Sequence, residues 1–383
     1  IYDTDSHDYD DCMWTYRDFC MMFSACNTGN AAGSLGGGGS TSKNTVCVGG
    51  TNGTNWDDVS ASSGHGMTED GRLKPDVITN FTVTTMTGDG NLDTAECTTQ
   101  GISGTSFSSP LACGLGILAR EYFTDGYYKN GYDTRTDGGC TDATNPIGVD
   151  DAGCGDLDDD SFTPSNALIK AVMIASCRNM TGSNTTTDGA GSSPRPAGGQ
   201  GWGRVTLDDS LWFVGEQRSI AVLTDIFTGT NSLTDSGGEP FVHGEKLYTS
   251  IITGQTHTFD VQVAAAGAMG GEGDLKVVLC WMESGQSPIV VGATTPATYN
   301  NLDLLVTDPN GVQYVGNNFG GDQWSDTGLA AYDTINPVEC VFVETVDATN
   351  EGIWTVQVIG EDVPGNGDST VAQPGNQSIT SDD

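Results

Sequence analysis

With 383 residues the chain is long enough for two domains with cores of their own. A hydrophobic content of 36% alongside 54 glycines describes a globular, loop-rich, partly β protein and excludes a disordered one. A net charge of −37, from 51 acidic and 14 basic residues, excludes nucleic acid and anionic membrane as partners. No run of about 18 apolar residues exists, so no membrane-spanning helix is expected. Asp dominates the acidic set and sits in loops beside Gly and Asn, a pattern that suits calcium sites or adaptation to salty surroundings, although for most of these residues a merely soluble acidic surface is the simpler reading. Eleven cysteines without a C-x-x-C pair, and sequons at Asn52, Asn80, Asn179, Asn184 and Asn376, point to an oxidising, secreted setting. The odd count leaves one thiol free or paired outside the chain. The opening residues IYDTDSHDYDD are too acidic for a signal peptide, and the N-terminus reads as internal.

In chain order, Asp8–Phe23 reads as a helix running into a hydrophobic strand at Met21–Ala25, which stops at Cys26-Asn27-Thr28-Gly29 ahead of a Gly/Ser loop. Thr45–Gly50 is the next strand. Gly101–Phe123 opens with small residues, GISGTS, and becomes a helix with Leu111, Leu115, Leu118 and Tyr122 at three- and four-residue steps. Leu-rich steps predict the buried face, with Ala112 and Gly114 admitting a close neighbour. Ser106 then falls at the positive end of the helix, among N–H groups lacking intrahelical partners, where a nucleophile that builds an oxyanion would be served. An N-cap serine ahead of a core helix would look the same locally.

Thr124–Phe162 is an Asp/Gly-rich insertion bounded by Cys140 and Cys154, a candidate disulfide worth about 3 kcal/mol in the chain-entropy model. Its Asp150, Asp151, Asp156, Asp158, Asp159 and Asp160 lack EF-hand spacing, and a solvated acidic loop is the simpler reading. Pro164–Ser176 carries a second helical pattern. From about Trp212 the pattern changes to short alternating strands, among them His257–Val263, Leu275–Trp281, Leu302–Thr307 and Trp354–Ile359, with a hairpin turn at Asp308-Pro309-Asn310-Gly311. This is expected to be a β-sandwich of jelly-roll type, giving domains at 1–211 and 212–383.

Gly104-Thr105-Ser106-Phe107-Ser108-Ser109-Pro110 resembles the G-T-S-x-[AS]-x-P signature around the nucleophile of subtilisin-like serine proteases. Ser24–Asn30 resembles the family's A-[AS]-G-N-x-G segment, SASSGHGMTEDGRLKPDV its S-S-x-G…D-G-R-x-K-P-D-V stretch, and Gly201–Val205 its G-W-G-x-[VI] closing strand. The resemblance implies an α/β parallel-sheet domain with Ser106 as nucleophile and Asn27 as oxyanion donor. It places Ser24, Ala25 and Cys26 along the substrate pocket. The family normally has Gly where Cys26 stands, so the side chain would narrow that pocket or enter a disulfide. The usual A-P-G after K-P-D-V is replaced by Ile78-Thr79-Asn80, where a glycan on Asn80 would restrict access. The C-terminal runs resemble the β-domain of the alkaline, oxidation-resistant branch, which implies structural calcium, with Asp303, Asp333, Asn336 and Glu339 as first candidates. Strand caps and turns would use the same residues.

A serine hydroxyl needs a base and a carboxylate to orient it. None of the four histidines, His7, His65, His243 and His257, lies in the family's H-G-T-H type motif, and no D-[ST]-G precedes one. The expected reading is a secreted endopeptidase chain whose Asp and His lie in a further N-terminal segment, acting on protein or peptide substrate. The alternative is a catalytically inactive glycoprotein of the same fold with a structural, adhesive or homo-assembling role.

Overall fold

A computed structural model describes residues 1–87, 98–128, 162–189, 191–213, 218–225, 251–264, 273–285 and 296–364. The Cys140–Cys154 pair, the insertion's Asp cluster, His243 and Asn376 lie outside these residues.

The first helix, α1 (Thr4–Thr15), is capped by Asp3, whose carboxylate accepts from the Ser6 N–H in a reciprocal capping box. It leads to β1 (Met22–Ser24), β2 (Val46–Asn52), β3 (Asn55–Val59) and β4 (Val77–Asn80). Strand β2 is central: it runs parallel to β1 on one side and to β4 on the other, and turns back antiparallel into β3. Its residues from Val46 to Thr51 are all buried, as a parallel strand covered on both faces requires. A hairpin of β5 (Thr82–Met86) and β6 (Thr99–Ser103) then feeds α2 (Thr105–Thr124). The closing segment Trp202–Val205 makes no long strand but bonds β4 on its far side, through Ile78 N–H to Gly203 O at 2.8 Å and Val205 N–H to Ile78 O at 3.1 Å. The next helix, α3 (Asn166–Ala175), starts at Ser165, whose hydroxyl accepts from the Leu168 N–H. The ends of the 124–162 insertion meet, with the Phe123 and Phe162 rings 5.1 Å apart.

The face of α2 that packs differs from the expected one. Thr105, Ser108, Gly116, Ala119 and Phe123 are buried together with the expected Ala112 and Tyr122, whereas Leu111, Ile117 and Leu118 are 40%, 60% and 53% exposed. Small residues face inward because the helix lies close on the sheet: a Cβ at Gly116 would sit 2.7 Å from Met22 Cε. Gly114, expected at a close contact, faces open space.

The remaining strands are β7 (Thr256–Val263), β8 (Leu275–Cys280), β9 (Asn301–Thr307), β10 (Gln313–Val315), β11 (Val338–Val343) and β12 (Gly352–Asp362). An antiparallel sheet in the order β10-β9-β12-β7 and a separate β11-β8 pair are formed. The expected turn joins β9 to β10, with Asp308 Oδ1 accepting from Asn310 and Val312 N–H at 2.8 Å each. Strand β11 is buried on both faces. Val338, Cys340 and Phe342 join the core of α2, α3 and the parallel sheet, while Val341 and Val343 join the core over the antiparallel sheet.

Buried polar bonds also join the two parts. Lys43 Nζ donates to Ser284 O (2.7 Å) and Ala297 O (3.0 Å), with the Glu283 carboxylate 3.6 Å away. Asp76 stands between Lys74 Nζ at 2.6 Å and Lys170 Nζ at 3.1 Å, all three nearly inaccessible. Burial alone would raise the Asp76 carboxyl, but Lys170 and Lys74 outweigh it and hold it below its usual value; burial brings Lys74 down to about 8.

Candidate active site

Ser106 is the second residue of α2 and is exposed. The turn into the helix needs Gly104, which has φ +153° and donates its N–H to Phe81 O at 2.9 Å. Phe107 and Ser108 N–H groups bond back to Gly104 O, while the Ser106 N–H and Oγ have no partner among the described residues. That N–H therefore stands open at the positive end of the helix. The first turn is clamped from behind. Thr79 Oγ1 donates to Ser108 O (2.8 Å), Ser108 Oγ to Asn80 O (3.0 Å) and Ser109 Oγ to Met22 O (2.9 Å).

Asn27 follows β1 and meets this turn. Its Oδ1 accepts from the Thr105 N–H at 2.8 Å and the Thr105 hydroxyl at 3.0 Å. Two donors on the oxygen fix which end of the amide faces out, and Nδ2 is left without a partner among the described residues. The arrangement offers an uncharged donor and a backbone N–H beside a serine hydroxyl, the chemistry that holds developing negative charge on a carbonyl oxygen. Thr105 was not singled out from sequence; the signal was its place beside Ser106, but its partner is 78 residues away.

Ser24 pairs with Val48 in the sheet, Ala25 is buried with its N–H on Val48 O, and Cys26 has φ +83°. A positive φ explains why Gly suits this position. The Cys26 side chain turns toward the 36–40 loop, 3.3 Å from where a Gly36 Cβ would be, and is unbonded to another cysteine. None of Cys12, Cys20, Cys26, Cys47, Cys113, Cys177, Cys280 and Cys340 forms a disulfide among the described residues.

No described histidine bonds Ser106. His7 lies beside Asp8 and Asp11 on α1, and His257 belongs to β7. His65 is fully buried, with Nδ1 3.2 Å from Thr186 O and Nε2 lacking a partner among the described residues, and burial lowers its pKa.

Of the oxygen donors in the β-region, Asp303 and Glu339 are both wholly inaccessible. Leu304 N–H donates to Glu339 Oε2 at 2.6 Å, but Glu339 Oε1 and both Asp303 oxygens have no partner among the described residues. Burial, then Glu361 and Asp333, pushes Asp303 up to about 7, and burial pushes Glu339 well above its usual value. Gly316 leaves the room that Glu339 occupies, since a Cβ there would lie 2.2 Å from its Oε2. Asp333 accepts from Asn317 and Asn336, and Asn336 spends its own oxygen on the Leu73 N–H. Among the described residues no group of three or more His, Cys, Asp or Glu side chains is placed to hold a metal ion, so any cation here would rest on the Asp303 and Glu339 carboxylates with backbone or water oxygens. Of the sequons, Asn52 is exposed, Asn80 lies in β4, Asn179 accepts from Arg195 N–H, and Asn184 donates its Nδ2 to Val59 O.

The profile of the subtilase peptidase family matches residues 3–203, which carry Asn27, Ser106 and the Trp202 segment. The chain belongs to the subtilase family. This subtilase is also similar to three serine protease/ABC transporter B family proteins of Dictyostelium discoideum. It is 25% identical to tagD over 335 residues, 81% of the chain and 16% of that protein. It is 25% identical to tagB over 336 residues (81% and 16%) and 24% identical to tagA over 314 residues (79% and 14%). The aligned stretches are longer than the subtilase match, so the likeness runs on into the β-region. The chain spans about a sixth of the length of these relatives. No helix among its described residues is long and apolar enough to cross a membrane.

Proposed function

We propose that the subtilase is the nucleophile-bearing part of a subtilisin-like serine endopeptidase acting on protein or peptide chains. The observation that carries this reading is the Asn27–Thr105 clamp, which turns Nδ2 outward beside the open Ser106 N–H. Ser106 Oγ attacks the scissile carbonyl, and Nδ2 with the Ser106 N–H receives the oxyanion. The proton goes to a histidine carried by a segment outside the described residues. That segment covers the exposed Leu111, Ile117 and Leu118 face of α2, and β1 pairs only with β2 among the described strands. Cys26 favours small side chains at the residue before the cleaved bond.

The β-region is a sandwich of jelly-roll type that binds structural calcium. Asp303 and Glu339 hold the ion, Asp333 supplies further negative charge, and Asn336 orients Asp333 rather than serving as a ligand. When bound, the ion neutralises buried carboxylates and ties β9 to β11. The cysteine count and the exposed sequon at Asn52 support a secreted glycoprotein.

A second reading, an inactive protein with a structural or assembly role, is favoured by one observation: no described histidine reaches Ser106. Labelling the native protein with a fluorophosphonate, followed by peptide mapping, separates the two. An adduct on Ser106 supports the peptidase. No adduct, with a histidine-bearing segment shown by mass spectrometry to be present, supports the structural role.

A further inference from the structure

An open cavity of about 640 Å³ lies between α1, the approach to β1 and α2, and three cysteines line it: Cys12, Cys20 and Cys113. Two contacts set how α2 lies against the chain entering β1. Ser109 Oγ donates to Met22 O at 2.9 Å, and the Arg120 guanidinium donates to Asp18 O. The 18–22 segment therefore runs antiparallel to the helix. Ser109, Cys113, Gly116 and Arg120 fall at steps of four, three and four, which is one stripe of an α-helix. Cys113 is thus on the stripe that touches this segment. It lies about 6 Å from Ser109 along the helix axis at 1.5 Å per residue. Cys20 lies two residues before Met22, about 6.6 Å away in extended chain. The two measures agree, which puts Cys20 and Cys113 at the same level along the helix, and Cys113 is close enough to act electrostatically on the Cys20 thiol. Gly116, on the same stripe, leaves room for the Met22 side chain, whose Cε would lie 2.7 Å from a Cβ there.

We propose that Cys20 and Cys113 are a redox pair, oxidised by a small-molecule disulfide to a bond that fastens the nucleophile helix to the strand leading into Asn27. Cys113 is exposed and Cys20 half-buried. Burial pushes the Cys20 thiol up to about 12 against the pull of Lys170 and Arg120, so Cys113 supplies the attacking sulfur. Its thiolate attacks one sulfur of the oxidant R–S–S–R, forming a mixed disulfide and releasing the first thiolate. The Cys20 sulfur then displaces the second, with proximity offsetting its weak acidity. The two cysteines lose two electrons and two protons, and two R–SH molecules carry them away. The bond joins the elements that hold Ser106 and Asn27.

The test is to equilibrate the full chain in a graded glutathione/glutathione disulfide series at pH 8, quench, alkylate and map the peptides without reduction. The expected result is a Cys20–Cys113 cross-linked peptide that grows with oxidant, retained in C12S and absent in C20S and C113S. In C20S, glutathione should accumulate on Cys113 as an unresolved mixed disulfide. Oxidation should also raise the thermal midpoint by about 5 °C or more. A cross-link of Cys12 to either partner, or full alkylation of Cys20 and Cys113 across the whole series, would overturn the proposal.

Discussion

Replacing Asp303 with Asn should change the sign of its effect with calcium. Asp303 is fully buried, and neither carboxylate oxygen has a donor among the described residues. In chelator the wild-type site holds two buried carboxylates, Asp303 and Glu339, with further negative charge from Asp333 and Glu361 acting on Asp303. Asn has the same shape without the charge. Removing a buried charge that lacks a partner relieves about 1–3 kcal/mol or more, so D303N should be the more stable protein without calcium. With calcium at a hundredfold excess over its dissociation constant, wild type gains about 2.7 kcal/mol and the variant gains little. For a unit of this size 1 kcal/mol moves the midpoint by about 2–4 °C, so calcium should raise the wild-type midpoint by about 5–10 °C. Scanning calorimetry of both proteins at pH 8, in chelator and in millimolar calcium, reads all four states. A wild-type midpoint indifferent to calcium, or a D303N protein less stable than wild type in chelator, refutes the reasoning.

Asn27→Ala should slow fluorophosphonate labelling of Ser106 by about 10²–10³-fold, a magnitude carried over from subtilisin itself, and should lower the thermal midpoint as well, because the buried Thr105 N–H and hydroxyl lose their acceptor. Asp76→Asn leaves Lys74 and Lys170 buried without their counter-charge, and urea unfolding should show a loss of about 3–5 kcal/mol. His65 has its pKa lowered by burial, so the unfolded chain binds its proton at a higher pH than the folded one. The folded state should then lose stability as pH falls through about 6.5, and a pH series of melting curves should show that slope flattened in H65N.

Much of the architecture was legible in local patterns. Period-two alternation located β7, β8, β9 and β12 to within a few residues, and the Asp-Pro-Asn-Gly turn was legible because Asp308 bonds within its own loop. The start of α2 was legible too, since Gly104 and the small hydroxyl residues act within one turn. The packed face of α2 was not. A hydrophobicity pattern assumes that large apolar residues face the core all along the helix, whereas here the nearness of Met22 admits only a small one at Gly116, and large residues are buried only at the helix end, at Tyr122 and Phe123.

What the sequence by itself determined about this subtilase was therefore what depends on neighbours in the chain: strand period, turns, caps and the short motifs around Asn27 and Ser106. Tertiary structure alone decided how those pieces meet. It put the Asn27 oxygen on Thr105, Asp76 between two lysines, β11 between two cores, and Cys20 and Cys113 on the lining of one cavity. Most of these contacts join groups tens of residues or more apart in the chain, and their energy depends on distance and burial, which no local pattern encodes.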